Sequence, residues 1–265
     1  MIVWREKKPM KILAVGDVVG SSGLEYLSSK LWSVRSSLNV DLCIVNGENA
    51  SDIIGLSRPD AMSILDAGAD IITLGNHSFG RRDIYSLLDD TEVIIRPSNF
   101  APDTPGIGYT VVRVGGVRVL CISLIGTVNM TPEASPFYEA DRILEREREN
   151  YDVSVVDFHA EATSEKIALG RYLDGRVSVV FGTHTHVQTA DEEIFPGGTA
   201  YITDIGMTGP IGGVIGVEAA ISIKKLMTHM PEHFKVAGGP CKARGALFEV
   251  DEQSGRAKSV ERIVF

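Results

Sequence analysis

Hydrophobic residues in this chain fall in short unbroken runs, each closed by a polar cluster. "KILAVGD" (11–17) is apolar up to a glycine and an acid, which reads as a strand buried on both faces. "SSGLEYLSSKLWSVRSSL" (21–38) then has helical spacing, with a serine near its start to cap it. "DLCIVNGEN" (41–49) and "DIITLGNHSFG" (70–80) repeat the strand pattern, each with a polar end. Between them "SRPDAMSILDAGA" reads as a helix with Pro59 in its first turn. A helix over "RRDIYSLLDD" and a short strand in "TEVII" follow.

Near residue 107 the pattern changes. "GYTVVRVGGVRVLCISL" is two β-runs about Gly115-Gly116, a hairpin. "YEADRILEREREN" is a charged helix whose charge run suits a solvated face. Alternation resumes with strands in "YDVSVVDFHAE" and "RVSVVFGTHTH" around a helix in "SEKIALGRYLD". "GGTAYITDIGMTG" comes next, then a helix near "GVEAAISIKKLM" and β-runs in "FKVAG", "RGALFEV" and "AKSVERIVF". The class is α/β.

At 265 residues the chain suits one large α/β domain or two small ones. No repeat, low-complexity segment or linker divides it. The expectation is an N-terminal extension over residues 1–9 and a single domain over 10–265. A formal net charge of −9 gives no broad electrostatic footprint for nucleic acid or an anionic membrane, though a small anion can still bind at a locally positive site. Three cysteines, widely spaced and without CxxC, make neither a disulfide framework nor a thiolate zinc site, and point to a reducing cytoplasm. No signal peptide or apolar stretch of membrane-spanning length is visible.

In open α/β sheets, sites collect at the carboxyl ends of strands. Here those ends carry Asp17; then Asn46, Glu48 and Asn49; then Asn76 and His77; then His159; then His184 and His186. Four of the six histidines are in that set. Taken singly, most have an ordinary reading. Asp17 suits a turn, "NGENA" a tight Asn-Gly turn, and His159 a half-buried ring satisfied by a carbonyl. Asp157 and Glu161 fit either as partners that orient ligands or, for Glu161, as a helix cap. "VGDVVGSSG" lacks the lysine of a phosphate loop and the spacing of a dinucleotide fingerprint. "GTHTH" is the strongest local signal: in extended backbone, residues i and i+2 face the same way, so both imidazoles reach one cluster and Thr185 points into the structure. His229 and His233 read as surface residues. "TGPIGGVIG" (208–216) reads as a turn-rich loop, with a pocket-lining role as the alternative. What single readings leave unexplained is why Asp, Glu, Asn, His and HxH all fall at successive strand ends.

Taken together, these motifs resemble the calcineurin-like metallophosphoesterase superfamily, whose signature runs Asp-x-His, GD-x-x-D, GNH-[DE], a lone His, then GH-x-H. The departures are informative. "GDVVG" lacks the first His, Glu48-Asn49 stands where Asp is usual, Ser78 replaces an acid, and Thr183 precedes the first His of "GTHTH". They resemble the bacterial YmdB-type branch, as do "DFHAEATSEKIALG" and "GTHTHVQTADEEIFPGGTAYITDIGMTGP". Phe79-Gly80 stands where that branch has Trp-Asp. The resemblance covers Met10 to Phe265 and implies a four-layer αββα sandwich with two divalent metal ions. It implies Asp17, Glu48, Asn49 and His186 as ligands of one ion and Glu48, Asn76, His159 and His184 as ligands of the other, with Glu48 bridging. His77 resembles the acid beside the leaving group. The implied activity is hydrolysis of phosphodiesters, including 2′,3′- and 3′,5′-cyclic nucleotides, and a homo-oligomer is implied as well.

The chemistry agrees. Two dications outweigh the charges of Asp17 and Glu48, so the centre attracts an anionic diester despite the acidic chain. Ions roughly 3.5–4 Å apart hold a bridging hydroxide and the phosphoryl oxygens together. A sugar alkoxide leaves poorly, and a proton donor, here His77, is worth about 10²–10⁴-fold. Oxygen and imidazole ligands without thiolate point to Mn or Fe ahead of Zn. The alternatives are a phosphomonoesterase or nucleotidase on the same scaffold, and a regulatory RNA- or protein-binding protein with incidental hydrolysis.

Overall fold

The computed structural model describes residues 8–265. All but two residues of the extension expected over 1–9 therefore lie outside the described residues. The first half of the chain alternates strand and helix: β1 (Met10–Val15), β2 (Asp17–Val18), α1 (Gly20–Leu38), β3 (Leu42–Asn46), α2 (Arg58–Asp66) and β4 (Ile71–Thr73). A 3₁₀ turn at Arg82–Ile84 then leads into α3 (Tyr85–Asp90) and β5 (Ile94–Ile95). The second half holds β6 (Tyr109–Val114), β7 (Val117–Ile125), α4 (Pro136–Arg146), β8 (Val153–His159), α5 (Thr163–Tyr172), β9 (Val179–Thr183), β10 (Glu193–Ile194) and β11 (Ala200–Ile202). The chain closes with β12 (Met207–Pro210), α6 (Ala219–Thr228), β13 (Cys241–Lys242), β14 (Arg244–Val250) and β15 (Ala257–Val264).

Two six-stranded sheets result, ordered β15-β14-β1-β3-β4-β5 and β10-β11-β9-β8-β7-β6. In the first, β1, β3, β4 and β5 are parallel and β14–β15 is an antiparallel edge hairpin. In the second, β7, β8, β9 and β11 are parallel, with β6 and β10 antiparallel at the edges. A small sheet, β13-β12-β2, lies alongside.

The unbroken apolar runs are explained by burial on both faces. Alternate residues of one strand point to opposite sides. Ile12, Ala14, Leu42, Ile44 and Ile71 meet Val119, Cys121, Val155, Val179 and Phe181 in a core between the sheets. Leu13, Val15, Cys43, Val45 and Ile72 face the other way, onto Leu27 and Leu31 of α1 and Ile64 of α2. Leu120, Ile122, Val156, Phe158 and Val180 likewise pack on Ile143 of α4 and Leu169 of α5. The layers are helix, sheet, sheet, helix: the four-layer αββα sandwich.

Local expectations hold with specific exceptions. Pro59 sits in the first turn of α2, where Ser57 accepts from the Asp60 N–H. No serine caps α1; its N-cap is Val19, with no side-chain hydrogen bond, because the Asn49 carbonyl takes the Gly20 N–H instead. "FKVAG" forms no strand, only a bridge from Val236 to Val217. Helix α4 stops at Arg146, short of the charged run's end.

Candidate metal centre

Because β1, β3, β4 and β5 of one sheet are parallel, as are β7, β8, β9 and β11 of the other, the carboxyl ends in each set share an edge, and residues at the two edges meet. His159, at the end of β8, is fully buried, and its Nε2 is the hub. It lies 2.9 Å from Asn76 Oδ1, 3.0 Å from His184 Nδ1 and 3.2 Å from Glu48 Oε1. Among the described residues, Glu48, His159 and His184 present ligand atoms all within 4.8 Å of one another, spacing that suits one metal ion. Asp17 is fully buried beside them. Its Oδ2 accepts from the His184 N–H at 3.2 Å, while its Oδ1 has no hydrogen-bond partner among the described residues. That orphaned oxygen lies 3.8 Å from His159 Nδ1 and 3.9 Å from His186 Nε2. Leaving a buried carboxylate oxygen unpaired is costly unless a cation meets it.

Asn49 lies next to Glu48, with its amide nitrogen 3.0 Å from Glu48 Oε1 and 3.2 Å from His186 Nε2. Its oxygen faces His77 Nδ1 at 2.7 Å. To offer that oxygen to an ion beside Glu48 and His186, the amide must turn over, exchanging its two isosteric ends. The His77 N–H donates to Glu48 Oε2 at 3.0 Å. Its ring lines the adjoining pocket, with Nδ1 held by Asn49 and Nε2 left for a substrate.

The electrostatics favour a cation. Burial raises Asp17 above its ordinary range. Burial also works against charge on Glu48, but His159 and His77 outweigh it and hold the carboxyl well below its usual range. Burial disfavours charge on His159 too; Glu48, Asp17 and Asp157 overcome that and raise its pKa to about 9. Burial and the neighbouring His159 push His184 down to about 3. The carboxylates thus draw positive charge to His159, the charge that a metal ion at Nε2 would supply in the proton's place. Gly75 supplies the room: a Cβ there would collide with Glu48 Oε2 and with the His159 ring.

The paired histidines converge by a route other than the expected one. Strand β9 ends at Thr183, and His184 (φ 95°) and His186 (φ 65°) both adopt left-handed backbone conformations. The extended i, i+2 arrangement does not occur, since neither residue keeps extended backbone once the His184 N–H has turned to Asp17 Oδ2. His184 therefore points Nδ1 inward and His186 points Nε2. Their outer nitrogens are fixed by Glu161 (2.9 Å from His184 Nε2) and the Ile215 carbonyl (3.0 Å from His186 Nδ1). Thr185 does turn into the structure, donating to Asp204 at 2.7 Å.

A second ring of residues holds the first. Asp157 accepts from Thr73, from Thr183 Oγ1 at 2.7 Å and from Asn46 Nδ2 at 3.2 Å. Thr183 Oγ1 also lies 2.9 Å from His159 Nδ1. Buried Lys166 reaches both the Thr183 carbonyl (2.7 Å) and Asp204 (2.6 Å), bracing the turn that carries His184. The sequence offers Asp157 and Glu161 as partners that orient ligands, with a helix cap as the alternative for Glu161, and gives no sign of Thr183, Lys166, Asp204 and Gly75. Asn46 sits at a strand end as expected but braces rather than faces the cluster. His229 and His233 are exposed, as expected.

Beside the cluster lies a pocket of about 330 Å³, lined by the polar Glu48, Asn49, His77, Glu161, His184, Thr185 and His186 and by an apolar wall of Ile53, Ile54, Ile215, Val217 and Phe234. The segment 208–216 thus contributes both strand β12 and a pocket residue. Gly80 matters here too, since a Cβ on it would stand 2.9 Å from Ile54 Cγ2.

The chain matches the YmdB-like protein family over residues 13–263. It is 43% identical over 255 residues to the 2′,3′-cyclic-nucleotide 2′-phosphodiesterase of Bacillus subtilis (strain 168), covering 96% of this chain and 97% of that enzyme. The crystal structure of a hypothetical protein from Thermus thermophilus superposes with a TM-score of 0.91 at 40% identity, over 97% of this chain and 99% of that one. That of a novel phosphatase from Mycoplasma pneumoniae superposes with a TM-score of 0.91 at 34% identity, over 97% of this chain and 93% of that one.

Proposed function

The chain belongs to the YmdB-like family, and from that premise we propose that it is a metal-dependent phosphodiesterase acting on small phosphodiesters, 2′,3′-cyclic nucleotides foremost and 3′,5′-cyclic nucleotides next. The observation that carries this reading is the convergence of Glu48 Oε1, Asn76 Oδ1, His159 Nε2 and His184 Nδ1 beside the unpartnered Asp17 Oδ1. Asp17, Glu48, Asn49 and His186 would hold one divalent ion, and Glu48, Asn76, His159 and His184 the other. Mn or Fe suits this donor set ahead of Zn. Bound there, the ions supply Lewis acidity at the phosphoryl group and an activated water at neutral pH.

The protein's own groups do the rest. His77 donates from Nε2 to the departing sugar oxygen, with Asn49 holding the opposite nitrogen and fixing the ring. Glu161 and the Ile215 carbonyl orient the two paired histidines. Residues 10–265 act together as one catalytic domain, since the ligands come from both sheets.

Two measurements test this reading. Purified protein supplied with Mn should cleave 2′,3′-cAMP and bis-p-nitrophenyl phosphate, and His77→Ala should lower kcat by about 10²–10⁴-fold with metal content unchanged. Full turnover in that variant with its metals bound removes the general-acid role. The M. pneumoniae neighbour is described as a phosphatase, so the competing reading is a phosphomonoesterase. A higher kcat/KM for p-nitrophenyl phosphate than for its bis-ester would favour it.

A further inference from the structure

The pocket's second wall is not accounted for by the ligand cluster. Ile54, Ile215 and Phe234 are 48%, 48% and 43% exposed, and all three line the cavity with half-buried Ile53 and buried Val217. Large apolar side chains gathered on one face of a polar cleft mark a surface that waits for an apolar group.

Two of them are held at a conformational cost. Ile53 has φ 79° and Ile215 has φ 46°, the left-handed region, which a β-branched residue rarely enters. Such outliers persist only where surrounding bonds impose them, and they gather at ligand sites. The bonds are identifiable. Arg81 reaches the Ser51 carbonyl at 2.9 Å and the Ile54 carbonyl at 3.2 Å, bracketing Ile53. The Ile215 carbonyl faces His186 Nδ1 at 3.0 Å, and the Gly216 carbonyl accepts from the Ala237 N–H at 2.8 Å. The same short ribbon, closed by the Val217–Val236 bridge, carries Phe234. Lys225 Nζ sits 4.2 Å from the centroid of its ring. The two apolar segments thus come from distant parts of the chain and line the same pocket as Glu48, His77 and His186.

We propose that this wall is the seat of a nucleobase, and that Phe234, by stacking on it, is the residue that makes the enzyme prefer a base-bearing cyclic phosphodiester to a bare one. The proposal rests on the phosphodiesterase reading and adds the substrate's second anchor. The phosphate faces Glu48, His184 and His186, and the base lies across the pocket on Phe234, with the isoleucines against its edge. A planar aromatic ring satisfies the geometry and the polarity of the wall. A pocket of about 330 Å³, near the lower end of ordinary small-molecule sites, suits one nucleotide rather than a polymer. Stacking of a base on an aromatic side chain is worth about 5- to 150-fold in binding by alanine substitution.

The test compares 2′,3′-cAMP with ribose 2′,3′-cyclic phosphate, which keeps the reacting group and lacks the base. Mn-loaded wild-type protein should prefer 2′,3′-cAMP by about tenfold or more in kcat/KM. Phe234→Ala should abolish that preference, chiefly through KM, while the base-less substrate turns over as before and so certifies the fold. Phe234→Trp should keep the preference. An unchanged ratio in Phe234→Ala, or equal use of both substrates by wild type, overturns the proposal and leaves the phosphodiesterase reading standing. Turnover of neither substrate sinks the phosphodiesterase reading instead, and the base seat is then decided by binding. In saturation-transfer NMR, adenosine should receive transfer at its base protons from the wild-type protein and lose it with Phe234→Ala; no transfer from wild type refutes the seat.

Discussion

Thr183 shows how much a single unremarkable side chain can control. Its hydroxyl donates to Asp157 at 2.7 Å and lies 2.9 Å from His159 Nδ1, so it is placed to accept from that N–H and leave Nε2 as the nitrogen that would face a metal. Removing such an outer partner typically costs about 10–100-fold in metal affinity. Thr183→Val should show a loss of about that size in a Mn titration, with the fold intact; undiminished affinity would mean that packing alone orients the ring. The candidate ligands were readable because polar residues at the ends of apolar runs stand out. Thr183 was not, since a threonine in a strand is also an ordinary β-former, and Gly75 gave no signal because its value lies in the side chain it lacks. Cys43 and Cys121 stand in the apolar runs of β3 and β7 and are buried. Burial pushes both up to about 12 from an ordinary value of 9.0. Above pH 9 the unfolded chain releases thiol protons that the folded chain retains, so their contribution is full below pH 9 and declines as pH rises toward 12. Alkylation of the native protein at about pH 8 should label Cys241, which is only half-buried, well before the other two.

At the scale of elements, α5 and the turn after β9 behave as one unit. Lys166 of α5 is 1% exposed and reaches Asp204 at 2.6 Å, and Asp204 in turn receives the Thr185 N–H and hydroxyl. Removing one partner of a buried pair strands the other charge, at a cost of about 3–5 kcal/mol. Lys166→Met should therefore lower Tm by several degrees and loosen metal binding, because the turn that carries His184 loses its brace. An unaltered melting curve would show that Asp204 finds compensation elsewhere. Nothing in the helical spacing around this lysine marks it as internal; the sheet against which α5 packs decides that. The excursion from Ile211 to Pro240 is the opposite case. Ile223, Leu226 and Met227 give α6 the look of a core-facing helix, yet all three are exposed, and Ser222 is its one buried residue. Apolar spacing records that a helix has an apolar face and is silent on whether anything covers it.

Across the whole molecule, the core and the site join the two sheets at different places. The central core clamps their inner faces, while the candidate ligands bridge their carboxyl edges. Asp17, Glu48, Asn49 and Asn76 follow strands of the first sheet; His159, His184 and His186 belong to the second. Apolar runs announced the strands, but their partition into two sheets came from the family resemblance alone. The pairing of β14 with β1 joins residues more than two hundred positions apart, beyond the reach of local patterning. One thermodynamic consequence follows from the arrangement. Ions that need ligands from both sheets bind the folded chain and not the unfolded one, so they stabilise it by mass action, by about 2.7 kcal/mol at a hundredfold excess over Kd. Chelation should lower Tm by several degrees and added Mn should restore it. Glu48→Gln, which removes the shared carboxylate, should melt at the same temperature with or without chelator. A wild-type Tm indifferent to chelation, in protein shown to have lost bound metal, would mean that the sheets hold their edges together unaided and that the centre is not a staple between them.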